Sequence, residues 1–368
     1  MKVKFADLKT QYQTLKNDID KAISNVIDEM AFVGGKYPKK FEEEFKNLYQ
    51  VKECISVANG TDAIYIVMKM LGIGPGDEVI TTASSWISTS ETISQTGARP
   101  VFVDIDEFYT IDSNKIEAAI TKRTKAIIPV HLYGQPADMN KINQIAETYK
   151  LYVIEDCAQS HFSMFNNKFV GTFGNASTFS FYPGKNLGAY GDAGCIITND
   201  TELGLKCKMY ANHGALKKHE HIIEGINSRL DGIQAAILSV KLPHLNSWNN
   251  KRISNALLYN TLLKDLEQVR TPLIRDNSLH TFHLFVIRVK ERDDLVDYLK
   301  SKGIETAIHY PTSLPLLPAY SYLNSDLNLF PQSIQHHKEI ISLPLYPELD
   351  IESITYVVDT IKEYYKKK

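Results

Sequence analysis

Short, continuously apolar segments alternate with helical segments along the first two thirds of this 368-residue chain. The apolar segments read CISVAN, EVITTAS, PVFVDID, AIIPVHLY and LYVIED, and the helical ones include NKIEAAI and MNKINQIAETYK. A strand without polar alternation is buried on both faces, which requires helices on both sides of the sheet. The pattern therefore predicts an α/β fold with a mostly parallel central sheet flanked by helices, in which STFSFYP and GCIITN form a hairpin or adjacent strands.

The pattern changes near residue 245. NKRISNALLYNTLLKDL predicts a helix, TFHLFVIRV a strand and RDDLVDYLKSKGI another helix. Ile354, Val357, Val358 and Ile361 then recur at the spacing of one helical face. We therefore predict a large α/β domain over residues 1–244, which begins with a helical segment, and a smaller C-terminal α+β domain over residues 245–368.

Composition argues against several classes of protein. The 41 Lys and Arg residues are balanced by 43 Asp and Glu residues, so no basic field for nucleic acid is expected. No apolar run approaches the roughly 20 residues of a membrane helix, and MKVKFADLKTQYQTLK lacks the apolar core of a signal peptide. Cys54, Cys157, Cys195 and Cys207 lack paired metal-ligand spacing. We expect a cytoplasmic protein with reduced thiols and no metal, nucleic-acid or membrane binding.

Asn59, Gly60 and Thr61 connect a predicted strand to a predicted helix. Glycine permits a ligand to approach the backbone, and the first N–H groups of a helix have no acceptor within the helix. Such a turn can bind a phosphate. Helix capping by Asn59 or Thr61 explains the same residues, and it is the commoner role when the turn is considered alone.

Asp156 ends a predicted strand, and Lys185 follows another in the glycine-rich segment SFYPGKNLGAYGDAG. A partly buried carboxylate needs a partner, which can be an internal salt bridge, a helix cap or a cationic ring nitrogen of a cofactor. Most lysines are plain surface charges, but a lysine in an apolar cleft has a lowered pKa and can attack a carbonyl. Trp86 is either a core residue or a surface on which a flat ring stacks.

These groups occur at strand ends, where parallel α/β sheets bind ligands. An anion-binding turn, an aromatic side chain, a strand-end aspartate and a cleft lysine match the phosphate, ring, ring nitrogen and aldehyde of pyridoxal 5'-phosphate. Alternating strands and helices also occur in nicotinamide-dependent oxidoreductases, which are the alternative. However, the glycine-rich fingerprint of dinucleotide binding does not follow any predicted strand. The combination predicts a pyridoxal-phosphate enzyme.

The chain resembles the nucleotide-sugar aminotransferases of the DegT/StrS type from FADLKTQY to LPLYPEL. The motifs that carry the likeness are NGTDAI, GDEVIT, KAIIPVHLYGQPADM, VIEDCAQSH, SFYPGKNLGAYGDAG and INSRLDGIQAAIL. The resemblance implies the type I fold of pyridoxal-phosphate-dependent transferases. It also implies a homodimer whose active sites are built from both chains.

The resemblance also implies individual roles. Lys185 resembles the catalytic lysine that forms the Schiff base. The implied cofactor-binding residues are Gly60, Thr61 and Ser180 at the phosphate, Trp86 on the ring, Asp156 at the ring nitrogen, Gln159 near the ring hydroxyl, and Asn227 reaching the phosphate of a neighbouring subunit. The implied sugar-binding residues are His161, Tyr182, Arg229, His309 and Tyr310.

The implied reaction moves an amino group from L-glutamate, which leaves as 2-oxoglutarate, to a keto nucleotide-sugar, with pyridoxamine 5'-phosphate as the intermediate form of the cofactor. NLGAYGDAG resembles members that act at carbon 3 of a dTDP- or UDP-linked hexose, and the alternative is carbon 4. The product would enter surface-polysaccharide (O-antigen) or antibiotic-sugar assembly. Two further alternatives remain: a pyridoxamine-dependent sugar dehydratase, which typically has histidine in place of Lys185, and a non-catalytic regulatory protein that retains the fold.

Overall fold

A computed structural model describes residues 1–367 of the chain. The helices within these residues are α1 (Leu8–Asp28), α2 (Lys36–Tyr49), α3 (Gly60–Met70), α4 (Ser88–Gln95), α5 (Met139–Tyr149), α6 (Thr201–Ala211), α7 (Gly232–Lys241), α8 (Leu245–Leu263), α9 (Arg292–Ser301), α10 (Pro331–Glu339) and α11 (Ile351–Lys366). The strands are β1 (Glu53–Val57), β2 (Glu78–Thr82), β3 (Arg99–Val103), β4 (Thr124–Ile128), β5 (Tyr152–Asp156), β6 (Met164–Phe165), β7 (Lys168–Phe169), β8 (Ala176–Ser180), β9 (Gly194–Thr198), β10 (Ser278–Leu279), β11 (Phe285–Arg288) and β12 (Ile340–Leu343).

A seven-stranded sheet forms the centre, in the order β1-β9-β8-β5-β4-β2-β3. Neighbouring strands from β3 to β8 pair in parallel, and β9 runs antiparallel to both of its neighbours, β8 and β1. The predicted α/β class with a mostly parallel sheet is confirmed. Apolar side chains pack on both faces of the sheet, which is the reason for the absence of polar alternation in its strands.

The segment NKIEAAI differs from its prediction as a helix. Only a short 3-10 turn forms there, at Glu117–Ala119, before the chain becomes extended at Ile120 and enters β4. Lys115, just before the turn, forms an ion pair with the buried carboxylate of Asp104 at the end of β3. This ion pair ties the segment to the sheet, and the helical turn covers three residues.

A second apolar core lies in the C-terminal third and is formed by α8, α9, α11, β11 and β12. Val3 also belongs to this core, and it pairs with Ile304, so the first residues of the chain pack against its last third. A 3-10 turn at Leu242–His244 connects α7 to α8, close to the predicted boundary at residues 244 and 245. The division into two domains at that boundary stays a prediction.

Among residues 1–367, no helix combines the length and the apolar composition that are needed to cross a lipid bilayer.

Candidate active site

Four strand ends meet at one edge of the central sheet. Strands β1, β2, β5 and β8 run in the same direction, so the residues that follow them lie at the same edge. Those residues include Gly60 after β1, Trp86 after β2, Asp156 at the end of β5 and Ser180 at the end of β8. The sheet topology thus gathers polar groups that are far apart in sequence.

The N-terminus of α3 packs closely against the end of β8 and has N–H groups that are unpaired within residues 1–367. Asn59 caps the helix, because its side chain accepts the N–H of Asp62 at 2.8 Å. The N–H groups of Gly60 and Thr61 have no acceptor among the described residues. A Cβ placed on Gly60 would lie 2.8 Å from the Cβ of Ser180. Capping and an anion-binding turn therefore coexist here, since the cap leaves the first N–H groups free.

Helix α4 closes the other side of this turn. The hydroxyl groups of Thr61 and Ser88 lie 2.7 Å apart, and Ser88 is the first residue of α4. The hydroxyl oxygen of Ser180 accepts the N–H of Tyr182 at 3.3 Å. Hydroxyl and N–H groups from two helices and one strand thus surround a space that suits a phosphate.

Asp156 is a buried carboxylate without a formal ion pair among the described residues. It is 4% exposed. Its Oδ2 accepts the hydroxyl of Thr89 at 2.8 Å, and its Oδ1 accepts the N–H of Ala158 at 3.1 Å. A buried carboxylate with only neutral hydrogen-bond donors retains the capacity to pair with a cation. Within residues 1–367, Asp156 therefore does not form an internal salt bridge, which was one of the alternatives predicted from the sequence.

Lys185 lies in the loop that follows β8, where its backbone N–H donates to the carbonyl of Tyr182 at 2.8 Å. The side chain is partly buried. Removal from water lowers the pKa of Lys185 to about 8, and the negative charge of Asp156 opposes this shift only in part. The amine therefore has a larger neutral, nucleophilic fraction near neutral pH than an ordinary surface lysine.

Two aromatic side chains and an amide lie over the same space. Trp86 is 57% exposed, so it is a surface residue, and its ring centroid lies 5.3 Å from that of Tyr310. Gln159 donates from Nε2 to the hydroxyl of Tyr310 at 3.1 Å and accepts the N–H of Tyr133 at 2.7 Å. An exposed indole beside polar groups offers a surface on which a flat ring can stack.

The two histidines that were predicted at the sugar occupy different environments. His161 is fully buried against Phe179 and Phe181, and neither of its ring nitrogens has a partner in the described part of the chain. Burial and the nearby Lys185 cation lower its pKa to about 3. His309 is partly buried, binds the hydroxyl of Ser342 at 2.8 Å, and has a pKa lowered to about 4 by burial. Both rings are therefore neutral at pH 7.

Three further predicted substrate or cofactor residues are exposed. Tyr182 is 59% exposed in the loop that carries Lys185. Asn227 and Arg229 are also exposed, and Arg229 lines a separate cleft of about 270 Å³ beside Gly34. Within residues 1–367, no hydrogen bond joins Asn227 or Arg229 to Lys185 or Asp156. The roles predicted for Asn227 and Arg229 stay predictions.

Sequence reasoning missed three residues that support the site. Thr89 binds Asp156, Tyr133 donates its hydroxyl to the carbonyl of His309, and His283 contacts the side chain of Asn186 through Nδ1 at 3.1 Å. Removal from water, with the Lys185 cation as the next cause, holds the pKa of His283 well below its ordinary value. The only sequence signal for Thr89 and Tyr133 was their position shortly after strand ends.

A buried cluster of His131, Glu155 and Cys157 has the residue types of a metal site. Both oxygens of Glu155 are already occupied, because they accept the N–H groups of residues 171, 173 and 174 and contact His131. Nδ1 of His131 accepts the N–H of Ala137 at 3.0 Å. These bonds use the lone pairs that a metal would need, so the cluster serves to fix the loops behind β5.

Comparison with known proteins adds three kinds of finding. The model of the DegT/DnrJ/EryC1/StrS aminotransferase family matches residues 13–362. A "Pleiotropic regulatory protein" of Geobacillus stearothermophilus is 46% identical, over 100% of this chain and 99% of its own length. The dTDP-3-amino-3,6-dideoxy-alpha-D-galactopyranose transaminase of Aneurinibacillus thermoaerophilus is 44% identical, over 98% of this chain and 99% of its own. The crystal structure of S. venezuelae DesV in complex with a ketimine intermediate superposes with a TM-score of 0.96 at 38% identity, covering 99% of this chain and 98% of that one.

Proposed function

This chain belongs to the DegT/DnrJ/EryC1/StrS aminotransferase family, and on that premise we propose that it moves an amino group from L-glutamate to a keto nucleotide-sugar. The observation that carries the proposal is the amine of Lys185, whose pKa is lowered to about 8 beside the buried carboxylate of Asp156. An amine of this kind is suited to bonding with a carbonyl and to moving protons near neutral pH.

The side chains of the site fit pyridoxal 5'-phosphate. The missing Cβ of Gly60 lets Ser180 approach the N-terminus of α3, the free N–H groups of α3 are donors for a phosphate, and Asp156 lacks a cationic partner among the described residues. We assign the phosphate to Gly60, Thr61 and Ser180, the ring face to Trp86, the ring nitrogen to Asp156, the ring hydroxyl to Gln159 and the aldehyde to Lys185. Asn227 would complete the phosphate site of a second subunit in a homodimer.

The protein groups have separate tasks in this proposal. When bound, pyridoxal phosphate supplies an aldehyde that takes up an amino group and a ring that accepts an electron pair. Nζ of Lys185 would accept the proton that leaves the carbon of the amino donor and, as an acid, would deliver it to the cofactor. The Asp156 carboxylate would stabilise a protonated ring nitrogen of the bound cofactor, and Thr89 holds that carboxylate by its 2.8 Å hydrogen bond. Donor and acceptor use one site in turn, so ping-pong kinetics are expected.

The sugar that we favour is a 3-keto hexose linked to dTDP or UDP. The segment NLGAYGDAG after Lys185 resembles that of members acting at carbon 3. The printed name of the similar Aneurinibacillus thermoaerophilus transaminase also describes a 3-amino sugar. His161, Tyr182, Arg229, His309 and Tyr310 are the proposed sugar-binding residues. Amination at carbon 4 is the alternative within the same reaction class.

A regulatory role is the second candidate function, because the Geobacillus stearothermophilus relative is named a pleiotropic regulatory protein. A pyridoxamine-dependent dehydratase is disfavoured, since Lys185 stands where such enzymes typically have histidine. The regulatory candidate and the transaminase differ in one observable: only the transaminase forms an amino-sugar.

The deciding experiment incubates the cofactor-loaded protein with L-glutamate and a panel of dTDP- and UDP-linked 3-keto and 4-keto hexoses. We expect 2-oxoglutarate together with an amino-sugar whose amine NMR places at carbon 3. The Lys185→Ala protein serves as the control without the reacting amine. Bound cofactor without amino transfer to any sugar of the panel would contradict the proposal and favour the regulatory role.

A further inference from the structure

The loop that carries Lys185 is tightly folded between β8 and β9. The N–H of Ala189 donates to the carbonyl of Phe181 at 2.8 Å, which closes the loop at its base. Gly188 packs directly on the carbonyl of Pro183, so closely that a side chain at position 188 would collide with it. Because the loop is packed on itself, a displacement of Gly188 is transmitted through Pro183 to Lys185.

Helix α7 holds this loop from outside through Lys241. Lys241 is 1% exposed, and its Nζ donates to the carbonyl of Gly188. The same nitrogen lies 5.2 Å from the ring centroid of Tyr190 and 5.8 Å from that of Trp248. No carboxylate in residues 1–367 forms an ion pair with it. The carbonyl and the two aromatic faces are thus the groups that stabilise this buried ammonium.

A second residue of α7 binds the same loop. Oε1 of Gln234 accepts the N–H of Tyr190 at 2.8 Å, and Gln234 lies seven residues before Lys241 in the helix. Residues seven apart lie on one face of a helix, two turns from each other. The two side chains therefore hold the loop at two points from a single rigid surface.

Burial of an ammonium group carries a desolvation penalty. Burial lowers the pKa of Lys241 to about 8, and the charge of Glu348 opposes this only in part. An apolar side chain of similar volume would avoid the desolvation penalty. An apolar side chain, however, could not donate the hydrogen bond that Lys241 makes to the Gly188 carbonyl.

We infer that α7 positions Lys185 through Lys241 and Gln234, which fix the loop that carries the reacting amine. The inference rests on the proposed function, since it takes Lys185 to be the amine that reacts. Lys241 and Gln234 are positioning residues, because they act on the reaction through the loop.

The test compares Lys241→Met with Lys251→Met, a matched control at an exposed lysine of α8. Methionine keeps most of the volume of lysine but donates no hydrogen bond to Gly188. In the cofactor-free protein, we expect hydrogen exchange of amides 187–190 to accelerate about tenfold or more in Lys241→Met, since local opening becomes easier. The control should exchange as the wild-type protein does.

In the cofactor-loaded enzyme, misplacement of the amine should lower kcat about 10- to 100-fold in Lys241→Met and leave the KM for the amino donor nearly unchanged. Lys241→Arg keeps a charged donor and should recover part of kcat, which a general loss of packing would not allow. A wild-type kcat in Lys241→Met would overturn the inference, whether or not exchange changes.

If Lys241→Met does not fold, Gln234→Leu provides the same test, because the N–H of Tyr190 loses its acceptor. Faster exchange at residue 190 with lowered kcat is then expected, and unchanged values overturn the inference. Failure of the proposed function is distinguishable, because the wild-type protein would then transfer no amino group to any sugar of the panel, while hydrogen exchange of the cofactor-free proteins would still report whether Lys241 fixes the loop. An inactive Lys185→Ala beside a fully active Lys241→Met would refute only the positioning role.

Discussion

The amine of Lys185 and the carboxylate of Asp156 form a pair with unequal surroundings. The amine is partly removed from water, which lowers its pKa to about 8. The carboxylate is held by Thr89 and by a backbone N–H, which are both neutral donors. A buried carboxylate supplied only with neutral donors is suited to a cationic partner that arrives with a ligand.

Substitution of Lys185 by alanine removes the group that is proposed to move the proton. We expect the Lys185→Ala protein to lose transamination by about 10³-fold or more, and to lose a borohydride-reducible bond to the cofactor. Mass spectrometry after reduction checks the bond, and Lys251→Ala is the control. Turnover within tenfold of the wild-type value would rule out this role for Lys185.

Substitution of Asp156 by asparagine keeps the shape of the side chain but removes its charge. The oxygen of asparagine can still accept the hydroxyl of Thr89, so the fold should persist. We expect the proton-transfer step to slow about 10²-fold, because the ring nitrogen loses its anionic partner. Single-turnover absorbance measurements report this step directly. An unchanged rate would show that Asp156 has no such electrostatic role.

At the scale of secondary-structure elements, the site depends on the close approach of α3 and β8. This approach is possible because residue 60 has no side chain, since a Cβ there would lie 2.8 Å from the Cβ of Ser180. The antiparallel strand β9 fixes the position of β8 from its other side. The arrangement of donor groups around Gly60 therefore depends on how these two elements pack.

Gly60→Ala should force these two elements apart. Overpacking of this kind costs about 1–3 kcal/mol, and we expect a weaker affinity for pyridoxal phosphate with a modest loss of stability. Gly74→Ala is the matched control, because a Cβ on Gly74 would meet only the carbonyl of Thr96, at an ordinary 3.6 Å. Equilibrium dialysis of both proteins checks the prediction, which equal affinities would contradict.

At the scale of the whole molecule, Asn227 and Arg229 are exposed and form no hydrogen bond with Lys185 within residues 1–367. Ser228, between them, is buried and donates to the carboxylate of Asp62 at 2.7 Å, so the segment is anchored near the start of α3. An exposed segment anchored in this way suits a contribution to the active site of a second copy in a homodimer with two-fold symmetry.

Mixing two inactive variants tests the shared active site. A dimer of one Lys185→Ala chain and one Asn227→Ala chain should contain one site with both defects and one intact site. After random re-pairing of equal amounts, we expect activity to return to about a quarter of the wild-type value. The separate variants are the controls. No recovery despite demonstrated exchange of subunits would mean that each site is built from a single chain.

The pH dependence of stability is another property of the whole molecule. Burial lowers the pKa of His280 to about 3. Below about pH 6.5 the unfolded chain therefore binds a proton at this histidine, whereas the folded protein does not bind it until the pH approaches 3. Stability is fully present above pH 6.5 and is lost as pH falls towards 3, by about 1.4 kcal/mol per pH unit for each such histidine.

His280→Asn should reduce this acid sensitivity. The asparagine oxygen can replace Nδ1 as the acceptor of the Phe282 N–H, which lies 3.0 Å from it. Urea unfolding at pH 7, 6, 5 and 4 compares the two proteins, and we expect a shallower loss of stability in the variant. Parallel curves would assign the acid sensitivity to other groups.

The alternation of apolar and helical segments was sufficient to predict the α/β class, because burial on both faces leaves a local signature in sequence. The positions of Gly60, Asp156 and Lys185 after strands could be read in the same way, since parallel strands end at one edge. The helix predicted over NKIEAAI was wrong, because only a 3-10 turn forms at Glu117–Ala119, in a segment that the Lys115–Asp104 ion pair ties to the sheet.

Other features of the site depend on residues that no local pattern connects. Thr89 meets Asp156 across 67 positions of sequence, and Lys241 meets Gly188 across 53. Such contacts are set by the placement of α4 against β5 and of α7 against the loop after β8. A helical or strand period reports which face of an element is buried, but it carries no information about the distant side chain that the face will meet. Only the packing of the folded chain supplied those partners.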